Sequence, residues 1–330
     1  MKKRRVAVTD YTFPSLELER AVAERHEAAF EAFQCRSEEE VVAALTDADV
    51  AMVQFAPITR TALEKMAPGS GIIRYGTGFD NIDLAAAAEN HIAVGYVPDY
   101  CVDEVADHTA AMILAALRKL PQLDASLRDG RWAAVPVAKP LKAFQETIIG
   151  FYGFGRVGRA VLARLRPFEF RFLVTDLALN PSEALQLGLD LVEEEGLLAQ
   201  ADVILLHAPA TPATELFINR KSLSAMKRHA IIVNTARGKL IDEKALAQAL
   251  NEGLIGGAAL DVFETEPLPE GSPLRHAPNL VMSPHAAWYS DSAIARLQVL
   301  VAQDLERLLS GQGPRCPVPD STDAKVGSAE

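Results

Sequence analysis

The sequence predicts an α/β protein of two doubly wound domains, and three observations carry that expectation. Short β-branched runs alternate with helical patterns from the N-terminus to about residue 283, the mark of parallel sheets. The alternation falls into two successive series, divided by a long apolar helix. The second series opens on a glycine-rich turn between a strand and a helix. A chain of 330 residues with 49% hydrophobic content has enough apolar material for two cores.

In the first series, strands are expected at residues 6–8, 50–55, 72–75 and 92–97. Ser37 followed by Glu40 has capping-box spacing ahead of the apolar Val41, Val42 and Leu45, which marks a helix start. The dividing helix, about residues 103–120, is apolar almost all round through residues 110–117. Such a helix needs cover on more than one side, from a domain interface or a second subunit. Strands of the second series are expected at 148–152, 170–175, 203–207, 231–234, 258–262 and 280–282. Six strands suit a full dinucleotide-binding sheet. A last helix at 291–309 comes after that sheet and is free to return to the first domain, which would make the first domain discontinuous. The expected division is 1–100 with 292–330 for one domain and 101–291 for the other. The tail 311–330, rich in Pro, Gly, Ser and charge, is expected to be disordered.

Composition narrows the function. The 33 Lys and Arg against 44 Asp and Glu give a net charge of -11, which disfavours nucleic acid and anionic lipid surfaces as partners. No apolar run approaches the roughly 18 residues a membrane span needs. The apolar stretch behind the basic start is only residues 6–8, so no export signal is expected. Cys35, Cys101 and Cys316 lie far apart, with neither metal-ligand spacing nor a disulfide framework, and a reducing cytoplasm fits them best.

The strand-like TIIGFYG leads into Gly153, Gly155 and Gly158, a G-x-G-x-x-G turn, and then into the helix-like RAVLARL. Its context gives the motif weight, because Asp176 ends the next strand 18 positions beyond Gly158. Gly153 permits the tight turn, Gly155 lets backbone approach a pyrophosphate, and Gly158 lets helix and strand pack closely. The amides of Arg156 and Val157 then point at phosphate, where the helix N-terminus adds partial positive charge. Asp176 would accept hydrogen bonds from the adenosine ribose and repel a 2'-phosphate, and Leu177 beside it supplies no cation. The expected cofactor is therefore NAD rather than NADP.

Three further residues each follow a predicted strand, where doubly wound sheets place ligands. Arg237, in IIVNTARGKLIDE, could grip a substrate carboxylate in fork geometry. Glu266 lies in LDVFETEP and His285 in VMSPHAAWYS. An imidazole paired with a carboxylate holds its proton to higher pH and can deliver it to a developing alkoxide, a service Glu266 would perform for His285. Taken singly these are an ordinary surface cation, a solvated carboxylate and a structural histidine. Their joint occurrence behind a complete dinucleotide fingerprint is what points to an active site. Trp288, three positions past His285, offers an indole face for an apolar substrate side chain, or a core packing role.

The segments NTARGKLIDEKALAQAL, GAALDVFETEP and SPHAAWYS resemble the D-isomer-specific 2-hydroxyacid dehydrogenase family, with similarity running over about residues 50–309. Within it, RYGTGFDNID, KALAQAL and PHAAWYS resemble the branch containing the C-terminal-binding-protein corepressors. The resemblance implies a Rossmann NAD-binding domain inserted into a smaller flavodoxin-like substrate domain, and a homodimer. It implies that Arg237, Glu266 and His285 are catalytic and that the amides around Gly76, Thr77 and Gly78 bind the substrate carboxylate. It puts Thr109 against the cofactor, Thr235, Ala236 and Asp261 on the nicotinamide side with Arg237 and His285, and His207, Pro209 and Thr214 near the adenosine. The N-terminal third matches only in outline, Phe151 and Tyr152 precede the glycine turn, and no regulatory domain is expected after Leu309.

The expected reaction is hydride transfer between the nicotinamide and C2 of a small D-2-hydroxy or 2-keto acid. Formate oxidation on the same fold is disfavoured, because the resembling formate enzymes put Gln where Glu266 stands. The rival from another class is an NAD(H)-sensing, corepressor-like binding protein with little turnover, and the intact trio argues for the enzyme.

Overall fold

The computed structural model of the chain describes residues 3–319, and these divide into two compact units, 3–100 with 290–319 and 101–289. In the first unit, β1 (Arg5–Val8), β2 (Ala29–Ala32), β3 (Val50–Val53), β4 (Gly71–Arg74) and β5 (Ala93–Gly95) form a sheet in the order β2-β1-β3-β4-β5. All neighbours are parallel. This is the flavodoxin-like strand order. Central strands covered on both faces read as continuous apolar runs, as VAMV of β3 does, with all four residues buried. The edge strand β2, AFEA, was not anticipated. Its residues are half-buried or exposed, so it lacks the apolar run that marks its neighbours.

Ser37 accepts a hydrogen bond from Glu40 N (3.3 Å) and starts the helix Glu38–Leu45. The Glu40 carboxylate reaches back to Arg36 N (2.6 Å), one residue earlier than a capping box requires. The helix Asp291–Leu309 belongs to this unit, is capped by Ser290, packs on the helix Glu17–Arg25, and buries Leu297, Val301 and Leu305.

Disorder of the tail is corrected for residues 311–319. Cys316 O accepts from Tyr96 N (3.1 Å), Val318 N donates to Val94 O (2.9 Å), and Pro317 bridges Gly95. Arg315 donates from its amide (2.8 Å) and guanidinium (3.1 Å) to Asp304, whose carboxylate is fully buried. Loop-forming composition removed the helix and strand signals, but the segment takes its order from β5 and from one buried charge. Residues 320–330 of the expected disordered tail lie outside the described residues.

In the second unit, β6 (Ile148–Tyr152), β7 (Arg171–Thr175), β8 (Asp190–Leu191), β9 (Val203–Leu206), β10 (Ile231–Asn234), β11 (Gly257–Leu260) and β12 (Leu280–Met282) form a sheet in the order β12-β11-β10-β9-β6-β7-β8. Every pair is parallel. This is the Rossmann order with a seventh strand added. The seven strands replace the six expected, because β8 is an exposed edge strand of two residues and too short to carry a period.

The helix Val102–Leu117 packs on the helix Arg156–Leu165 and on β10 and β11, burying Ala106, Ala110, Met112 and Ile113. Its own domain thus covers one side of the expected all-round apolar helix. At the amino end of β9, buried Asp202 accepts from Lys142 (2.8 Å), Lys227 (2.9 Å), His229 (2.7 Å) and Ile148 N (2.7 Å). Burial favours its neutral form, but these four donors hold the carboxyl well below the usual carboxylate range. Among the described residues no helix is long and apolar enough to cross a membrane.

Asp304→Ala should free the tail and destabilise the fold by about 2 kcal/mol, less than for a fully buried pair because Arg315 retains some water. Chemical denaturation and the rate of tryptic cleavage after Arg315 check this. An unchanged cleavage rate would show that the tail is held by something else.

Candidate active site

The glycine turn follows β6 directly. Gly153 sits at φ +85°, and a Cβ there would lie 2.5 Å from Ala208 N, so both the left-handed backbone and the close approach demand glycine. Gly155 is the N-cap of the helix Arg156–Leu165 and brings no side chain to its first amides, which include those of Arg156 and Val157. A Cβ built on Gly155 would meet nothing within 4 Å, whereas one on Gly158 would press on Phe154 at 3.3 Å. The space therefore lies over Gly155, where a pyrophosphate would need it, and the tight packing lies at Gly158.

Asp176, next after β7, accepts from Phe154 N (2.6 Å), Ala178 N (2.8 Å) and Leu179 N (3.0 Å). It ties the glycine turn to the next loop, and Leu177 beside it is fully exposed. His207, next after β9, has its ring enclosed beside Phe151 and its Nε2 without a partner among the described residues. That enclosure pushes the imidazole down to about 4, so it is neutral at physiological pH. Pro209 O accepts from Thr214 Oγ1 (2.5 Å), which closes the turn that follows. Open space over a bare helix N-terminus, a carboxylate past the next strand and an orphaned imidazole nitrogen together fit a dinucleotide.

Beyond β10, buried Asn234 braces the next loop, accepting from Ala236 N (3.0 Å) and donating to Arg237 O (2.8 Å). The Arg237 guanidinium donates to Ala236 O (2.6 Å). Thr235 Oγ1 and Thr109 Oγ1 are 2.7 Å apart, joining this loop to the helix Val102–Leu117. Gly238 allows the approach to the next loop, since a Cβ on it would overlap the Phe263 carbonyl carbon at 1.9 Å. Neither Asn234 nor Gly238 stood out in the sequence. The only available signal was their place on either side of the arginine in NTARG.

Glu266 turns one oxygen to its own loop, accepting from Phe263 N (2.9 Å), and the other to His285 Nδ1 at 2.6 Å. Burial favours the neutral acid, but the hydrogen bond and charge of His285, the Phe263 amide and the Arg237 charge together hold the carboxyl below its ordinary range. Glu243 secures the loop from behind, accepting from Glu264 N (2.7 Å). His285 itself has φ +51°, a left-handed conformation uncommon for a residue with a Cβ. Fully buried Asp261 holds the turn around it, accepting from Ser283 Oγ (2.5 Å), Ala286 N (2.9 Å) and Ala287 N (2.9 Å). Trp288 is half-buried with its ring edge-on to Tyr289.

The second unit thus brings Arg237, Glu266 and His285 to neighbouring loops at the carboxyl edge of the sheet that carries the glycine turn. Gly76, Thr77 and Gly78 follow β4 in the other unit, where Gly76 O accepts from Val97 N (3.1 Å) and Thr77 Oγ1 lies 3.4 Å from Val97 O.

Residues 110–287 match the family model described as D-isomer specific 2-hydroxyacid dehydrogenase, NAD binding domain. A D-3-phosphoglycerate dehydrogenase of Methanocaldococcus jannaschii is 39% identical over 278 residues, covering 84% of this chain. The chain spans about half the length of that relative, 52%. A glyoxylate reductase of Korarchaeum cryptofilum is 38% identical over 245 residues, 74% of each chain. Among solved structures, the TT0316 protein from Thermus thermophilus superposes with a TM-score of 0.84 at 34% identity, covering 96% of this chain and all of that one. With its glycine turn, its strand order and this match over most of its length, the chain belongs to the D-isomer specific 2-hydroxyacid dehydrogenase family.

Proposed function

We propose that the protein reduces small 2-keto acids to D-2-hydroxy acids with NADH, and catalyses the reverse oxidation with NAD. One observation carries this reading: a histidine hydrogen-bonded to a carboxylate at 2.6 Å, beside an arginine loop, on the edge of the sheet that bears the dinucleotide turn. NADH, when bound, supplies the hydride that reaches substrate C2. Gly153, Gly155, Gly158 and the amides of Arg156 and Val157 take its pyrophosphate, and Asp176 its adenosine ribose. His207, Pro209 and Thr214 line the adenosine side, while Thr109, Thr235, Ala236 and Asp261 serve the nicotinamide side.

Arg237 grips the substrate carboxylate, a task suited to a planar cation that never loses its charge. The amides of Gly76, Thr77 and Gly78 are proposed to bind a substrate carboxylate. With Nδ1 committed to Glu266, Nε2 is the nitrogen through which His285 gives a proton to the substrate oxygen, or takes it back in oxidation. The positive charges of Arg237 and His285 stabilise the oxyanion as it forms. Glu266 fixes the ring's orientation and stays ionised across the working pH range. Trp288 forms an apolar wall for the substrate side chain.

The proposed assembly is a homodimer. The segment after the helix Val102–Leu117 exposes Leu120, Leu127, Trp132 and Val135, with Trp132 93% exposed. A fully exposed indole among other apolar side chains marks a surface built for a protein partner. The proposed location is a reducing cytoplasm, the compartment that three widely spaced cysteines, Cys35, Cys101 and Cys316, fit best.

Sustained loss of NADH absorbance with a panel of 2-keto acids is the expected result. Binding of NADH without loss on any of them would reject the enzyme in favour of a cofactor sensor. His285→Gln and Arg237→Ala should each lower kcat/KM by roughly 10²-fold or more while NADH still binds by fluorescence titration. Glu266→Gln should slow reduction about 10²-fold across the pH range. The wild-type carboxyl titrates below its unfolded value, so its contribution is complete above that value and is lost only as pH falls through the lower, folded one. Reduction by the wild type should accordingly persist as pH falls through the ordinary carboxylate range, and an acid limb near the usual glutamate value would contradict the pairing.

Asp176→Ala should narrow the preference for NADH over NADPH, at the expense of some NADH affinity because the Phe154 amide loses its acceptor. Kd values for both cofactors test this, and an unchanged ratio would remove Asp176 as the discriminator. Trp132→Ser should shift the particle from dimer towards monomer in light scattering. A monomeric wild type at micromolar concentration would refute the assembly.

A further inference from the structure

His108 lies on the helix Val102–Leu117 with its Nε2 2.9 Å from Ser283 Oγ and 3.7 Å from Asp261 Oδ1. Ser283 Oγ is in turn 2.5 Å from the same Asp261 oxygen. A hydroxyl has one proton, and an ionised carboxylate can only accept, so the Ser283 proton goes to Asp261. Ser283 Oγ must then accept from the histidine. This fixes the proton of His108 on Nε2, in the neutral ring as well as in the charged one, so the contact is an N–H donation that does not depend on charge.

Asp261 distributes what it receives. Its Oδ1 also accepts from Ala286 N and its Oδ2 from Ala287 N, each at 2.9 Å, while its backbone oxygen accepts from His285 N (2.7 Å). These bonds surround the one residue of the turn with positive φ, His285 at +51°. A left-handed conformation costs a residue with a Cβ roughly 1–2 kcal/mol, and it persists only where neighbours over-determine it. In this conformation the His285 Nδ1 lies 2.6 Å from Glu266 Oε2.

We propose that His108 is a positioning residue for the reaction: by donating to Ser283 it orients the hydroxyl onto Asp261, and so holds His285 in the backbone conformation that presents Nδ1 to Glu266. The role rests on the assignment of His285 as the acid/base. It predicts that His108 acts on the rate of the proton-coupled step and not on cofactor affinity. A residue serving only the packing of its helix would instead change stability and NADH binding together.

The test compares His108→Phe, which keeps the ring's bulk and loses the donor, with His108→Gln, whose amide nitrogen reaches the place of Nε2. His108→Phe should lower kcat about tenfold with the Kd for NADH and KM changed less than threefold, and His108→Gln should restore most of the loss. Ser283→Ala should match His108→Phe, with the double variant no worse than either single one, since all three break the same chain of hydrogen bonds. Equal losses in the Phe and Gln variants, a parallel loss of NADH affinity, or additive effects in the double variant would overturn the proposal. Crystal structures of the wild type and His108→Phe decide it independently of any turnover. A 283–287 turn that keeps its conformation and its His285–Glu266 contact in the variant refutes the positioning role, even if the wild type proves to be a sensor.

Discussion

All seven strands of the larger unit run in one direction, so all seven carboxyl ends fall along one edge of the sheet. The rest of the site depends on that constraint. Gly153 follows β6, Asp176 follows β7, His207 follows β9, Thr235 to Arg237 follow β10, Asp261 follows β11, and Ser283 and His285 follow β12. Residues spread over more than 130 positions of sequence are thereby brought to one rim. An antiparallel sheet would have sent alternate loops to opposite ends.

Two glycines and two buried polar side chains turn that rim into a site with defined geometry. Gly153 lets the β6 turn press against the backbone after β9, and Gly238 lets the arginine loop touch the glutamate loop. Asn234 and Asp261 are each fully buried, and each commits polar atoms to the backbone of a loop, that of Arg237 or that of His285. Buried polar groups need complete sets of partners, so such a side chain fixes a loop more sharply than apolar packing does. The left-handed His285 backbone is tolerable because Asp261 binds the turn on both sides of it.

The same use of buried charge recurs at the opposite edge of that sheet and in the other unit. Asp202 gathers Lys142, Lys227, His229 and an amide, and Asp304 gathers Arg315. In each case a carboxylate with almost no exposure is satisfied by donors from neighbouring segments. Glu266 differs in kind. About a third of its side chain remains exposed, and it shares its two oxygens between its own loop and His285. That partial exposure keeps the histidine within reach of a small molecule.

The sequence by itself determined the α/β class, the buried central strands, the glycine turn with its acid, and the Arg, Glu and His that follow three strands. Those signals are local: a buried parallel strand is a short apolar run, and a dinucleotide turn is a fixed spacing of glycines. The sequence did not reveal β2 and β8, which are exposed edges without an apolar run, nor the order of residues 311–319, which take their partners from β5 and Asp304. Only the tertiary structure decided that Asn234, Gly238, Asp261 and His108 shape the loops around the trio. Their contacts join residues up to 175 positions apart, His108 to Ser283, and no local pattern records a hydrogen bond whose partner is supplied by the folding of another strand.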